Sequence, residues 1–271
     1  MITPGARVDG APAPELHGLL RRARGIARWA LAALALACAG AHASEVRVAV
    51  ATNFLQPMRA LAADFSAASG HEALVSGGST GKLHAQVLAG APFDVLLAAD
   101  ADTPRRLVEE GHGVAGSRFT YAVGRLVLWS AEPGRVDAQG AILASDRYTR
   151  LAIANPRLAP YGAAALEVLE ARGLLEAVRP RLVTGENIGQ AYQFVRTGNA
   201  EIGFVALSQV MGPGQEPGGS MWRVPPELHA EIRQDAVLLA RGRDNEAARA
   251  LLAYLRTPAA RAKIRSFGYG H

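Results

Sequence analysis

Short apolar runs alternate along the chain with longer stretches in which apolar residues recur at helical spacing. Residues 46–50 form the first such run, and Met58, Leu61 and Phe65 after it share one face of a helix. Strand-like and helical segments continue to alternate in the residues that follow, with a helix predicted from Lys82 to Gly90. This alternation predicts an α/β fold whose strands form mainly parallel sheets flanked by helices.

A second series of strands and helices begins near residue 125. Its predicted strands are residues 125–129, 151–154 and 202–205, and its predicted helices include residues 162–172. The tail of the chain then adds a strand at residues 235–239 and a helix at residues 245–256. Two series of this kind predict two lobes rather than one continuous sheet. We place residues 44–123 and 225–271 in the first lobe and residues 124–224 in the second.

The first 43 residues have a different pattern. A basic stretch from Arg21 to Arg28 precedes an apolar run over residues 29–38, and Ala41 to Ala43 form the small-x-small pattern of a cleavage site. The apolar run is roughly ten residues, too short to cross the ~30 Å hydrocarbon core of a membrane. We therefore predict a signal peptide at residues 1–43 and export to the periplasm. Cleavage there removes Cys38, the only cysteine, and leaves no thiol chemistry.

The charge of the chain gives little support to a nucleic-acid partner. The formal net charge is +5, but residues 1–43 contain five of the arginines and only two acidic residues. The part after residue 43 is therefore nearly balanced, and it contains no run of lysines or arginines. A basic surface that binds nucleic acid requires such clustering.

Four predicted strands lead into helices through polar or glycine-rich turns. The turns contain Thr52 and Asn53, residues 77–82, Pro160 to Gly162, and Gly185 to Gly189. Each turn alone is compatible with ordinary helix capping. Glycines also let the backbone approach a ligand, and helix N-termini offer free N–H groups to an anion. Because α/β proteins bind ligands at the carboxyl ends of their strands, the four turns together predict an anion site.

The sequence argues against catalysis. Residues 77–82 read GGSTGK, but Ser76 stands where a nucleotide-binding loop needs glycine and Leu83 stands where it needs serine or threonine. No GxSxG or HExxH motif is present, and the histidines lack metal-ligand spacing. We therefore predict no catalytic residue, no protein-ligated metal and no cofactor.

Several segments resemble the molybdate-binding proteins of ABC importers. They are residues 51–58 (ATNFLQPM), 78–83 (GSTGKL), 85–94 (AQVLAGAPFD), 155–162, 185–188 (GENI), 202–205 (IGFV) and 254–258 (YLRTP). The resemblance implies a two-lobed type II periplasmic binding fold that closes on molybdate or tungstate, acts as a monomer and delivers its ligand to a membrane permease. A binding protein for sulfate or another tetrahedral oxyanion, and a two-lobed sensory domain, are the alternatives.

The resemblance also implies which residues bind the anion. They are Thr52 and Asn53 in the first turn, Ser79 or Thr80 in the second, and the backbone N–H groups of Tyr161 and Ile188 in the others. Many members use a tyrosine hydroxyl where this chain has Ala206. We expect the Asn53 side chain or the Tyr161 hydroxyl to replace that donor.

Overall fold

The computed structural model describes residues 1, 44–214 and 217–270, so the predicted signal peptide lies outside the described residues apart from Met1. The strands are β1 (Glu45–Ala51), β2 (Glu72–Gly78), β3 (Val95–Leu97), β4 (Phe119–Val123), β5 (Leu126–Ser130), β6 (Leu151–Ala154), β7 (Leu182–Gly185), β8 (Ile202–Ala206), β9 (Ser220–Arg223) and β10 (Arg233–Leu238). The α-helices are α1 (Leu55–Ser69), α2 (Thr80–Leu88), α3 (Asp102–Glu109), α4 (Pro160–Ala171), α5 (Leu175–Val178), α6 (Ile188–Arg196), α7 (Leu207–Val210), α8 (Glu246–Leu255) and α9 (Pro258–Ser266). Short 3₁₀ turns include Thr52–Phe54, directly before α1.

The first sheet has the strand order β2-β1-β3-β10-β4. Strand β1 runs parallel to β2 and β3, whereas β10 runs antiparallel to β3 and β4. Helices α1, α8 and α9 pack in one buried cluster with Val46, Val48 and Val50 of β1. Ala49 points to the opposite face, where Leu83 of α2 belongs to a second cluster. Because helices cover both faces, β3 and the second half of β1 are apolar and buried on both sides.

The second sheet has the strand order β7-β6-β8-β5-β9. Strand β6 is parallel to β7 and β8, and β5 is antiparallel to β8 and β9. One core cluster joins this sheet to α4 and α6, through residues such as Val168 and Val195. The two sheets therefore have the same plan, in which the fourth strand in the order, β10 or β5, runs opposite to the other four.

The α/β, two-lobed class predicted from the sequence is confirmed. Each sheet is mixed, but only one of its five strands, β10 or β5, runs opposite to the other four, in agreement with the predicted mainly parallel sheets. The chain crosses between the two sheets twice. It leaves the first sheet after Val123 at the end of β4 and enters the second at Leu126 of β5. It returns between Arg223 of β9 and Arg233 of β10. The residue boundaries of the two lobes stay a prediction, for which this distribution of strands is the support.

The helix starts matter most for the site, and two of them lie earlier than predicted. Helix α2 begins at Thr80 rather than Lys82, and α4 begins at Pro160 rather than Gly162. The N–H groups of the first residues of a helix have no partner within the helix, so capping polar residues and proline are favoured there. Thr80 and Gly81 thus belong to the first turn of α2, and Pro160 and Tyr161 belong to the first turn of α4. Across the described residues, no helix has both the length and the apolar character to cross a membrane.

Candidate functional site

The predicted ligand residues converge on one small cavity between the two sheets. All six line it, namely Thr52, Asn53, Ser79, Thr80, Tyr161 and Ile188. Apart from Thr52, these residues are at most 3% exposed. The structure therefore brings together all the residues singled out from the sequence, in a nearly closed space.

The first turn joins the two sides of the cavity. Strand β1 ends at Ala51, and Thr52 opens the 3₁₀ turn that follows. The Thr52 hydroxyl accepts a hydrogen bond from the Gly189 N–H at 3.3 Å. It donates to Asn187 Oδ1, also at 3.3 Å. Both partners lie at the start of α6, beside the second sheet, so Thr52 connects the two sheets directly.

The second turn contains two adjacent hydroxyls, of which Thr80 has a hydrogen-bond partner and Ser79 has none among the described residues. Thr80 Oγ1 accepts a hydrogen bond from the Ala99 N–H at 3.0 Å. Ser79 is the N-cap of α2, yet its side chain makes no capping hydrogen bond. Its buried Oγ has no hydrogen-bond partner among the described residues. A buried hydroxyl without a partner costs about 1–3 kcal/mol, which marks Ser79 as a group whose partner is external.

The opposite wall is formed by two helix N-termini. Pro160 is the first residue of α4 and carries no N–H, so the first N–H group of that helix belongs to Tyr161. Ile188 is the first residue of α6, where Asn187 caps the helix by accepting from the Gln190 N–H. The N–H groups of first-turn residues have no partner within a helix and lie at the positive end of its dipole. This wall therefore offers neutral backbone donors.

The Tyr161 hydroxyl is engaged away from these donors. It accepts a hydrogen bond from Gln234 Nε2 at 3.0 Å. A Cβ on Gly124 would lie only 2.2 Å from this hydroxyl, so only glycine leaves room for it. Burial raises the pKa of Tyr161 well above its usual value, which keeps the hydroxyl protonated. Our expectation that this hydroxyl replaces the family tyrosine stays a prediction, and its present contacts do not favour it.

The Asn53 side chain is held by residues that sequence reasoning missed. Its Nδ2 donates to Gln234 Oε1 at 2.8 Å and to the Tyr269 hydroxyl at 3.0 Å. Its main-chain oxygen accepts from Ser208 Oγ at 2.8 Å. Asn53 Oδ1 is buried and has no partner among the described residues. One available signal was Gln234 with Asp235, a polar pair at the start of β10, directly before its apolar residues.

Charged groups lie at the edge of the cavity rather than in its wall. None of the described residues that line it is acidic or basic. Lys82 Nζ and Glu186 Oε1 form an ion pair at 2.5 Å, and both side chains are about half exposed. Nearby, the Gly81 N–H donates to the Leu158 oxygen at 2.9 Å. These two contacts join α2 to the turns of the second sheet, so they hold the walls together.

The remaining chemistry of the described residues fits binding rather than catalysis. No group of three or more His, Cys, Asp or Glu residues among them is arranged to hold a metal ion. The cavity offers a hydroxyl and backbone N–H groups, all of which are neutral donors. Such a set suits a ligand that only accepts hydrogen bonds, as a fully deprotonated oxyanion does.

Comparison with known proteins places these turns in a wider context. The pattern that defines the family described as "Bacterial extracellular solute-binding protein" matches residues 46–270. The molybdate-binding protein ModA of Azotobacter vinelandii is 57% identical over 241 residues, 89% of this chain and 95% of that protein. ModA of Rhodobacter capsulatus is 52% identical over 229 residues, 84% of this chain and 89% of that protein.

A solved structure agrees with these sequence relatives. The periplasmic molybdate-binding protein of Azotobacter vinelandii superposes with a TM-score of 0.82 at 39% identity. The superposition covers 83% of this chain and 99% of that one. The family match spans both sheets and every turn that lines the cavity.

Proposed function

The chain belongs to the family of bacterial extracellular solute-binding proteins, and from this we propose that it captures molybdate or tungstate for an ABC importer. It is a solute-binding protein rather than an enzyme, as its relatives are. The observation that carries the proposal is the pair of walls with neutral, buried donors, of which Ser79 Oγ has no partner in the described chain. A tetrahedral dianion supplies the missing acceptor.

In this proposal each wall contributes a different kind of donor. Ser79 Oγ and the Asn53 amide act from the first wall, with Thr52 beside them. The backbone N–H groups of Tyr161 and Ile188 act from the second. We assign the hydroxyl of the second turn to Ser79 rather than Thr80, because Ser79 Oγ is buried without a partner among the described residues, whereas Thr80 Oγ1 accepts from the Ala99 N–H. Hydrogen bonds to a charged acceptor contribute about 1.5–3 kcal/mol each, so a few suffice for tight binding.

Protonation and size give the selectivity. A carboxylate in the wall would accept a hydrogen bond from the O–H of a hydrogen phosphate and would repel a fully deprotonated dianion. No carboxylate lines the cavity. Molybdate, tungstate and sulfate present the same four acceptor oxygens, so hydrogen bonding alone does not separate them. We propose that the distance between the walls selects among these three anions by their size.

The remaining parts of the proposal concern location and partners. We propose that residues 1–43 are a cleaved signal peptide and that the mature protein works in the periplasm as a monomer. Its membrane partner is the permease of a molybdate importer. Contacts between the sheets, such as Lys82 with Glu186, favour a closed form that the permease distinguishes from an open one.

Calorimetric titration of the mature chain with molybdate, tungstate, sulfate and phosphate tests this function. We expect tight binding of molybdate and tungstate, weaker binding of sulfate, and none of phosphate. Tight binding of sulfate without molybdate would select the alternative oxyanion carrier. Binding of none of the four would contradict the proposal and favour a sensory domain with another ligand.

A further inference from the structure

A groove leads outward from the cavity between two helices that begin beside it. Helix α1 follows the turn that contains Thr52 and Asn53, and both of these residues line the groove as well as the cavity. On the opposite side, α6 lines the groove through its residues at positions 189, 192, 193 and 196. This i, i+3, i+4, i+7 spacing is one face of a helix. One whole face of α6 therefore borders the groove.

The groove is tight at its inner end and open at its outer end. A Cβ on Gly189 would lie 3.4 Å from the Thr52 Cβ, so the first turn of α6 lies against Thr52 there. Arg196 is the last residue of α6, about 10 Å further along the helix axis. Arg59, Gln193 and Arg196 are exposed. The outer end is thus a mouth with an arginine on each side, Arg59 from α1 and Arg196 from α6.

The charges of this groove have one sign. Arg59 and Arg196 line it, and none of the described residues that do so is acidic. Neither arginine forms an ion pair with any residue that the structure describes. Two positive charges therefore stand on opposite sides of the mouth without a nearby carboxylate to offset them.

A second groove that borders the cavity has a different charge. It shares Pro160 with the cavity wall. Its lining includes Asp100 and Asp102 as well as Arg106 and Arg157. The two carboxylates offset the two guanidinium groups, so this groove does not attract an anion as the first one does.

The range of electrostatic forces decides which charges an approaching anion senses. At physiological ionic strength the Debye length is about 8 Å, so charges far from the path are screened. The part of the chain after residue 43 is nearly balanced in charge, so attraction by the whole molecule is weak. Local clusters of one sign can nevertheless raise association rates about 10- to 1000-fold. The mouth between α1 and α6 is a positive cluster that opens directly onto the cavity.

We propose that Arg59 and Arg196 steer oxyanions into the cavity through the groove between α1 and α6, without contacting the bound anion. This steering rests on the proposed oxyanion function and adds a capture step to it. The charged groups attract the anion at the mouth, and the neutral donors of the cavity then hold it. The two arginines belong to helices that pack on different sheets, so each wall keeps one positive charge when the walls separate.

Rapid filtration of the mature chain with radiolabelled molybdate measures association and dissociation separately and so tests the steering. With Arg59→Gln and Arg196→Gln combined, we expect association to be about tenfold slower at low ionic strength, the lower end of such effects. Dissociation should change less than about twofold, because the bound anion keeps all its hydrogen bonds. In molar salt, where the Debye length falls to about 3 Å, the difference in association should nearly disappear.

A matched control removes the same two charges at the other end of each sheet. Arg47 lies near the amino end of β1, Arg147 precedes β6, and both are exposed. We expect Arg47→Gln combined with Arg147→Gln to leave association within about twofold of the wild-type rate. An equal fall in both double variants would show that net charge acts rather than the groove, and would overturn the inference.

A change of charge in each groove locates the route. Gln193→Glu places a carboxylate in the mouth and should slow association about threefold at low ionic strength. Asp102→Asn removes a carboxylate from the second groove and should leave association unchanged. Faster association in Asp102→Asn, with no effect of Gln193→Glu, would place the entrance at the second groove and overturn the inference.

The remaining outcomes separate the steering from the proposed function. Faster dissociation with unchanged association would make the two arginines ligands or supports of the closed form, contrary to the steering. Unchanged rates with slower uptake through the importer would assign the mouth to the permease and also contradict it. A wild-type chain that binds no oxyanion would overturn both the steering and the proposed function. Thermal unfolding of each variant checks that the fold is retained.

Discussion

The two walls of the cavity present the same kind of surface by different means. The wall beside the first sheet uses side chains, of which Ser79 carries a buried hydroxyl without a partner among the described residues. The wall beside the second sheet uses the backbone of Tyr161 and Ile188, held by the first turns of α4 and α6. Backbone donors are fixed by the helix, whereas side-chain donors must be oriented by neighbours. The first wall is therefore the one in which single substitutions change binding most directly.

A substitution that keeps the two walls apart should weaken molybdate binding more than any other change considered. A Cβ on Gly81 would lie 3.2 Å from the Leu158 Cα, so we expect Gly81→Val to prevent closure. An overpacking cost of about 3 kcal/mol against the closed form corresponds to about 100-fold weaker molybdate binding by calorimetry. Gly218→Val is the matched control, because a Cβ there meets nothing within 4 Å. Unchanged affinity in Gly81→Val would show that closure is not required.

Removing the unpartnered hydroxyl of the first wall should have the next largest effect. We expect Ser79→Ala to weaken molybdate binding about 30-fold, the loss of one hydrogen bond to a charged acceptor. The ligand-free protein should unfold at a higher temperature, because a buried hydroxyl without a partner is gone. Ser266→Ala, at an exposed serine, is the control. Ordinary affinity in Ser79→Ala together with a loss in Thr80→Ala would reverse our assignment.

The backbone donor of the second wall can also be removed. Proline is favoured at the first position of a helix, and Asn187 before it has the extended backbone that a following proline requires. Ile188→Pro should therefore keep α6 and delete one N–H, with about tenfold weaker binding. Ile188→Val keeps the N–H and should bind normally. Equal affinities of the two variants would remove Ile188 from the site.

The ion pair at the edge of the cavity should contribute little. Lys82 and Glu186 are about half exposed, and such pairs contribute about 0–1 kcal/mol. We expect Glu186→Gln to weaken binding less than about fivefold, with the difference disappearing in high salt. Glu176→Gln removes an exposed pair within the second lobe and serves as control. A larger loss that persists in salt would place Glu186 in the site itself.

Between pH 6 and 9 neither wall should respond to pH. No acidic or basic residue lines the cavity, and burial raises the pKa of Tyr161, so molybdate affinity should stay constant.

The free energy of unfolding, in contrast, should depend on pH in the alkaline range. The unfolded chain releases its tyrosine protons near pH 10, while burial raises the pKa values of Tyr121 and Tyr269 in the folded chain. Because the folded state then holds more protons, chemical denaturation should show stability falling as pH rises past about 10.

Much of this arrangement could be predicted from sequence because it follows from local patterns. Alternating strands and helices predict the class, and the turns at Thr52 and Gly78 to Thr80 follow the strands that place them. The choice between Ser79 and Thr80 could not be predicted, because it depends on the Ala99 N–H, a contact from a different strand end. Gln234 was missed for a similar reason, since its side chain is aimed by a register shift in β10.

The near-complete burial of the cavity has a consequence for kinetics. Five of its six candidate ligand residues are at most 3% exposed, so we expect an anion held there to leave when the walls separate. Residence time then measures how often the lobes separate rather than how strongly the anion is held. A permease that pulls the lobes apart would set the rate of delivery without competing for a single hydrogen bond.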